Sequence, residues 1–249
     1  MLPVDVSLRG IPRLRALAAI KGQVSDKAPG VAATLQRVCR GVTRDLELDG
    51  ATVTLIPDVG RHTVAAASSE QMTRIEELQF DAGEGPTLDA YRRGAPAIIT
   101  NQEALARRWP GYAPAAIADG VSAVFSLPLH VGAARLGGLT LYWRSPRAPA
   151  RGDLRSALVF ADLATDLLID HSYVTEDGGF DPALVSALDT HGHVYQAQGM
   201  VMVDLEVGLP EALARMRAQA YASGQRLDVL AGHIIDGSAA VARDLRPHL

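Results

Sequence analysis

Residues 197–231, which read AQGMVMVDLEVGLPEALARMRAQAYASGQRLDVLA, set the architecture of the C-terminal quarter of the chain. Apolar residues recur there every three to four positions, and this spacing indicates helices. The pattern is interrupted at Gly208-Leu209-Pro210 and at Ser223-Gly224, residue types that end helices. Three short helices are therefore predicted. A bundle of this size is too small to enclose a catalytic pocket, so we expect a docking surface.

The boundaries of the three helices follow from capping signals. The first is predicted over residues 182–203, because Asp181 is a suitable N-cap before a proline at the first helical position. The second is predicted to begin at Pro210 and the third at Asp228. Gly199 inside the first helix predicts a close approach between two helices. The side chains predicted to face inward include Leu184, Leu188, Leu209, Leu213, Met216, Leu230, Ile234 and Val241.

The same residues resemble the ANTAR domain, an RNA-binding module of bacterial transcription antiterminators. The matching positions run without a gap: Ala197-Gln198-Gly199, Glu211-Ala212, Met216-Arg217, Ala220, Arg226-Leu227 and Leu230-Ala231. The resemblance covers about residues 183–243. It implies that dimerised modules bind two short RNA hairpins through exposed loop bases and so prevent a terminator from forming.

Four residues are candidates for RNA contact: Gln198, Arg215, Arg217 and Arg226. A guanidinium can pair with a phosphate or stack on an unpaired base. The alternative for Arg217 and Arg226 is two solvated arginines on helix surfaces. Gln198 stands where the family usually has a basic residue, so a Gln198→Lys substitution is expected to strengthen RNA binding. Gly208 replaces the usual Ser or Thr cap of the second helix, at a cost of only a few tenths of a kcal/mol.

The longer N-terminal part of the chain alternates between helical and strand patterns. Amphipathic helices are predicted near residues 31–46 and from Asp153 onward, and Ser68 or Ser69 caps another. Strands are predicted at residues 51–56, 61–67, 97–100, 122–130 and 134–143. Hairpin strands enclosed by terminal helices indicate an α+β domain on an antiparallel sheet, and argue against a doubly wound parallel one.

This part of the chain, roughly residues 31–172, resembles a GAF domain of the type that precedes ANTAR in many actinobacterial regulators. The resemblance rests on Gly83-Glu84-Gly85-Pro86, Asp89-Ala90-Tyr91, Trp109-Pro110-Gly111-Tyr112, Ser126-Leu127-Pro128-Leu129 and Leu136-Gly137-Gly138-Leu139. It implies a six-stranded antiparallel sheet, flanking helices that often dimerise, and a pocket that senses a small molecule. The candidate ligand-binding residues are Glu84, Tyr91, Tyr112 and Phe125.

The predicted organisation is therefore an N-terminal extension over residues 1–30, a GAF sensor domain over residues 31–172, a linker over residues 173–182, and an ANTAR domain over residues 183–249. The extension contains either a short amphipathic helix near residues 11–18 or a poorly ordered segment. Gly178-Gly179 within a polar stretch marks the linker.

Composition and charge exclude several functional classes. The net charge of −4 argues against a histone-like nucleic-acid binder, because phosphate neutralisation requires a basic surface. A single cysteine, Cys39, excludes an intramolecular disulfide, a multi-thiolate metal site and a thiol–disulfide catalytic cycle. No catalytic motif is present, and no apolar run approaches the roughly 20 residues that span a bilayer. We expect a cytoplasmic protein that is not an enzyme and holds neither a metal nor a resident cofactor.

Two hypotheses remain at this stage. In the first, an unidentified small molecule binds the GAF domain and repositions or dimerises the ANTAR module, which then binds paired hairpins in mRNA leaders; the protein is a homodimer and an upstream signalling protein is a possible partner. In the second, the C-terminal bundle has lost RNA contact, and it serves as a degenerate ANTAR module for dimerisation or protein interaction.

Overall fold

A computed structural model of the protein describes residues 31–58, 61–170 and 190–237. The predicted helix near residues 11–18, the linker, the start of the first ANTAR helix with Leu184 and Leu188, and Val241 lie outside these ranges. The helices of the N-terminal part are α1 (Val31–Asp45), α2 (Glu70–Ala82), α3 (Pro86–Arg93), α4 (Gln102–Arg108), α5 (Ala113–Ala118) and α6 (Arg151–Asp170). The α+β class predicted for this part is confirmed.

The strands of the described residues form one sheet in which every neighbouring pair is antiparallel. They are β1 (Gly50–Asp58), β2 (Arg61–Ala67), β3 (Ala97–Ile99), β4 (Ala123–Val131) and β5 (Ala134–Trp143), in the order β2-β1-β5-β4-β3. The described ranges thus contain five strands, one fewer than the six that the resemblance implied.

The two faces of the sheet differ in polarity. Because successive side chains of a strand point to opposite faces, Ala51, Val53 and Leu55 of β1 pack in the apolar layer beneath α1 and α6. Thr52 and Thr54, which alternate with them, are buried on the other face and bond to α2. The sheet therefore has one predominantly apolar side and one side with a cluster of buried hydroxyl groups.

Helix α2 has a well-defined start and end. The Ser69 hydroxyl accepts a hydrogen bond from the backbone N–H of Met72 at 3.4 Å, as the sequence predicted for a capping serine. At the other end Gly83 adopts a left-handed conformation with φ of 70°, and its N–H bonds to the carbonyl of Gln79 at 2.9 Å. Glycine enters this conformation without steric cost, so it ends the helix sharply.

The C-terminal part is the predicted bundle, formed by α7 (Gly192–Leu205), α8 (Leu209–Ala222) and α9 (Leu227–Ile235). Gly208 occupies the N-cap of α8, as expected. The prediction that Asp228 caps the third helix is wrong. Arg226 is the N-cap there, and Asp228 lies in the first turn, where its carboxylate accepts from the N–H of Val229 at 2.9 Å.

Two further expectations about packing in the bundle are also wrong. Gly199 was predicted to permit a close helix approach, but a Cβ atom placed there would meet no atom within 4 Å. Leu209 was predicted to face inward and is 48% exposed. The reason is that apolar periodicity locates a buried stripe only to within a residue at a helix end.

Within the described ranges, no helix is both long enough and apolar enough to cross a membrane.

The close approach of β5 to β1 at Gly137 generates a stability prediction. Gly137 has φ of 154°, and a Cβ there would lie 1.9 Å from the backbone oxygen of Thr54. Gly137→Ala is expected to lower the free energy of unfolding by about 3 kcal/mol, because strand β1 cannot move aside without losing its pairing. Gly132→Ala, in a turn with φ of 57° and nothing within 4 Å, is the control and should cost about 1 kcal/mol. Urea unfolding measures both variants, and an equal decrease in the free energy of unfolding for Gly137→Ala and Gly132→Ala would contradict the steric explanation.

Candidate functional site

The interior of the N-terminal domain contains a buried carboxylate. Glu76 of α2 is 1% exposed, and its oxygens accept hydrogen bonds from the hydroxyls of Thr52 and Thr54, each at 2.8 Å, and of Thr87 at 2.6 Å. The Tyr142 hydroxyl also donates to it. Taking a carboxylate out of water is costly unless donors replace the lost solvent, and four hydroxyls do so here.

The donors are held in place by a wider network. The Thr140 hydroxyl bonds to those of Thr87 at 2.6 Å and Ser126 at 2.7 Å, and the Gln79 side-chain amide donates to Thr87 at 3.1 Å. Burial, followed by the negative charge of Glu76, raises the pKa of Tyr142 well above its usual value. The phenol therefore keeps its proton and remains a donor.

The four ligand-binding candidates do not converge on one point. Glu84 Oε1 accepts from the backbone N–H groups of Gly111 at 2.5 Å and Tyr112 at 3.3 Å, so it ties two loops together. Tyr112 is fully buried in the layer that holds α2. Phe125 lies on the opposite face of the sheet, beneath α1 and α6, because it alternates with Val124 and Ser126. The fourth, Tyr91, is partly exposed.

Sequence reasoning missed Glu76 and its hydroxyl partners. The signal was present, because α2 buries a stripe at helical spacing whose members are Met72, Ile75, Glu76, Gln79 and Phe80. A carboxylate inside such a stripe requires buried donors. Thr52 and Thr54, which alternate with apolar residues in β1, were the corresponding sequence evidence for these donors.

Helix α2 also contacts the C-terminal bundle, through Phe80. This side chain is 1% exposed and belongs to the hydrophobic core formed by α7, α8 and α9. Its ring lies 3.9 Å from that of His191 and 5.9 Å from that of Tyr195, measured between centroids. His62 of β2 approaches Phe80 edge-on at 4.9 Å. An aromatic cluster therefore joins the two domains.

The charges at this junction are set by burial. The pKa of His62 falls to about 3, first because of burial and then because of repulsion from His191 and Arg217, so its ring is neutral at physiological pH. The Arg61 guanidinium lies 4.7 Å from the centroid of the Tyr195 ring, within the range of a cation–π interaction.

The three arginines proposed to contact RNA occupy different environments. Arg226 is exposed, with 61% of its side-chain surface accessible, and bonds to Asp228 at 3.1 Å. Arg215 pairs with Glu211 at 2.5 Å. Arg217 instead turns toward the N-terminal domain. Its Nε donates to the Phe80 carbonyl at 2.9 Å, and burial lowers its pKa to about 10, so it stays charged.

The expectation that Gln198 stands on the surface of the bundle is wrong. The residue is 8% exposed, and its side-chain amide donates to the Leu209 carbonyl at 2.7 Å, tying α7 to the start of α8. A lysine at this position would place an ammonium group where the side chain is largely buried. The gain in RNA binding expected from Gln198→Lys therefore has no structural basis.

A cleft of about 680 Å³ opens between the two domains beside Arg217. Its rim carries polar and charged side chains from both, namely Asp81, Glu84, Arg217, Tyr221 and Gln225. Burial raises the pKa of Asp81 to about 6, an effect that attraction to Arg226 only partly offsets. The carboxylate of Asp81 is thus poorly solvated at neutral pH.

Comparison with protein families identifies a domain in each of the two parts of the chain. A family model for the GAF domain matches residues 28–168, and one for the ANTAR domain matches residues 183–235. No curated protein matches the chain.

Several solved structures are similar over the N-terminal part. The GAF domain of a phosphoenolpyruvate-protein phosphotransferase from Coxiella burnetii is 19% identical with a TM-score of 0.48, covering 65% of this chain and 95% of its own. The corresponding Acinetobacter domain is 11% identical with a TM-score of 0.48, covering 66% and 94%. A type II free methionine-R-sulfoxide reductase from Thermoplasma acidophilum is 12% identical with a TM-score of 0.45, covering 56% and 93%.

The raised pKa of Asp81 generates a prediction of pH dependence. A carboxyl whose folded pKa lies above its unfolded value makes the protein less stable as pH rises from about 4 to about 6. Asp81→Asn removes this loss of stability. The free energy of unfolding of the variant should therefore equal that of wild type near pH 4 and exceed it by roughly 1 kcal/mol at pH 7, after allowance for solvent screening.

Urea unfolding at several pH values measures this difference. Asp89→Asn is a suitable control, because it breaks an ion pair with Arg108 at 2.5 Å and should lower stability at neutral pH. A stability difference between Asp81→Asn and wild type that does not change with pH would show that the pKa of Asp81 is not raised in the folded protein.

Proposed function

Because this chain belongs to the GAF domain family and carries an ANTAR domain at residues 183–235, we propose that it is a signal-responsive RNA-binding regulator of transcription termination. The ANTAR domain implies RNA binding, and the GAF domain implies the sensing of a signal. Both are regulatory rather than catalytic domains. The observation that carries the proposal is the direct packing of the ANTAR core on the GAF helix α2 through Phe80.

The RNA-binding step is assigned to the arginines of α8 and to the residue that caps α9. Arg226 and Arg215 lie on the outside of the bundle, where a guanidinium can reach a phosphate or stack on an unpaired base. The net charge of −4 gives little non-specific attraction, so affinity would come from a few contacts to exposed loop bases. We propose that two copies of the module, as a homodimer, bind paired hairpins in a nascent mRNA, and that the protein acts in the cytoplasm.

The sensing step is assigned to the polar interior around Glu76. A small molecule with hydrogen-bonding groups could exchange with the hydroxyls that bond this carboxylate. Glu76 and Phe80 are four residues apart on one helix, so a shift of α2 at the first position moves the second. A ligand changes the equilibrium only if it favours one position of α2 over another.

A second candidate function is a module for dimerisation or protein interaction. Both arginines are already paired with carboxylates of their own helices, Glu211 and Asp228, and the Arg215 side chain is only 27% accessible. The bundle also exposes apolar side chains, with Val203 at 67% and Tyr221 at 79%. These features favour a protein partner over RNA.

Binding to a fluorescent tandem-hairpin RNA separates the two functions. Arg226→Ala is expected to weaken binding about tenfold and to reduce the salt dependence of the affinity, because one cationic contact is lost. Arg107→Ala is the matched control, since Arg107 is an exposed arginine of α4 that is likewise paired with a carboxylate of its own helix. It should leave the affinity unchanged.

Absence of RNA binding by wild type at low salt, with a concentration-dependent dimer in sedimentation, would favour the interaction module. Equal weakening by Arg226→Ala and Arg107→Ala would show that binding is non-specific electrostatic attraction, and would contradict the assignment of Arg226.

A further inference from the structure

We propose that the C-terminal end of GAF helix α2 withholds Arg217 from RNA, so that the arrangement described here is the state with low RNA affinity. This inference rests on the proposed function, because it concerns the regulation of the same RNA-binding surface. It assigns a regulatory role to the contact between Arg217, Phe80 and Gly83.

The contact is specific in its chemistry. Arg217 Nε donates to the Phe80 carbonyl at 2.9 Å, and its Cζ lies 5.4 Å from the centroid of the Phe80 ring. This carbonyl belongs to the last turn of α2, where four backbone oxygens lack partners within the helix. The C-terminal end of a helix is also the negative end of its dipole, which favours a cation.

Gly83 provides the space for this contact. A Cβ at Gly83 would lie 3.1 Å from Cδ and 3.1 Å from Nη1 of Arg217, closer than an ordinary van der Waals contact. The glycine that ends α2 therefore also leaves room for the Arg217 side chain to lie against its backbone. Gly83, the first residue of the Gly83-Glu84-Gly85-Pro86 motif, thus has a role beyond the proposed sensing and RNA-binding steps.

The contact restricts access of RNA to the same guanidinium. Its Nε is bonded to a protein carbonyl and one face lies near a phenylalanine ring, so that donor and that face are not available to an RNA base while the contact holds. Arg215 and Arg226 stay on the outside of the bundle, so the restraint acts on one of the three arginines.

Helix α2 connects this restraint to the sensor interior. Its Glu76 and Gln79 side chains belong to the buried hydroxyl network, and the Gln79 carbonyl accepts the bond from Gly83 N–H at 2.9 Å. Displacement of α2 by a ligand would therefore move the cap and the Phe80 carbonyl together, and would release Arg217.

The test uses Gly83→Ala in the full-length protein, with Gly94→Ala as the matched control. Gly94 ends α3 in the same left-handed conformation, with φ of 62° against 70°, but a Cβ there would meet only Arg135 of the GAF domain, at 3.4 Å. Both variants carry similar backbone strain, and only the first crowds the Arg217 side chain, which must shift by a few tenths of an ångström to make room. Gly83→Asn and Gly94→Asn form a second pair, because asparagine tolerates this conformation and lowers the risk of unfolding.

Two measurements are made on each variant: affinity for the fluorescent tandem-hairpin RNA at fixed salt, and exchange of the Arg217 Nε–H proton by NMR in the absence of RNA. We expect the Gly83 variants to bind RNA about tenfold more tightly than wild type and to exchange this proton about tenfold faster. The Gly94 variants should match wild type in both measurements.

The outcomes separate the two proposals. Faster exchange in the Gly83 variants with unchanged RNA affinity would overturn the withholding of Arg217 and leave the RNA-binding function intact. A rise in the RNA affinity of the Gly83 variants while their Arg217 Nε–H stays as protected as in wild type would overturn it as well, because the gain would not come from release of Arg217. Absence of RNA binding in every variant, including those with fast exchange, would overturn the proposed function itself.

Discussion

The insertion of Phe80 into the core of the C-terminal bundle is the interaction on which the arrangement of this protein depends. The ring belongs to a helix of the GAF domain, yet it is buried among side chains of α7, α8 and α9. Truncating a buried phenylalanine typically costs about 3–5 kcal/mol, so the bundle would lose a large part of its stability without it. The ANTAR domain of this chain is therefore completed by a residue that lies outside its own sequence.

The same helix is constrained on its other side by Glu76. A buried carboxylate with four hydroxyl donors resists displacement, because each lost hydrogen bond leaves one of its oxygens with a single donor and no water to replace the other. Helix α2 thus lies between a polar network that fixes its position and a bundle that depends on it. Such a helix can pass a change in one domain to the other without a flexible connection.

Much of the fold could be predicted from local patterns. The strand predicted over residues 51–56 and the capping serine of α2 each depend on neighbouring residues alone, and the structure confirms both. The errors lie where a boundary or an environment is set by distant residues. Asp228 was expected to begin α9, but Arg226 does so, and Gln198 was expected at the surface, but its amide bonds to Leu209.

The candidate site was less predictable, because its parts are far apart in the chain. Periodicity and capping were enough to divide the chain into an α+β domain and a helical C-terminal bundle, since they arise from local backbone preferences. No local pattern could show that Arg217 reaches the carbonyl of Phe80, which lies 137 positions away. Tertiary packing alone decided which arginines remain exposed, because burial depends on the domain that covers a side chain and not on the helix that carries it.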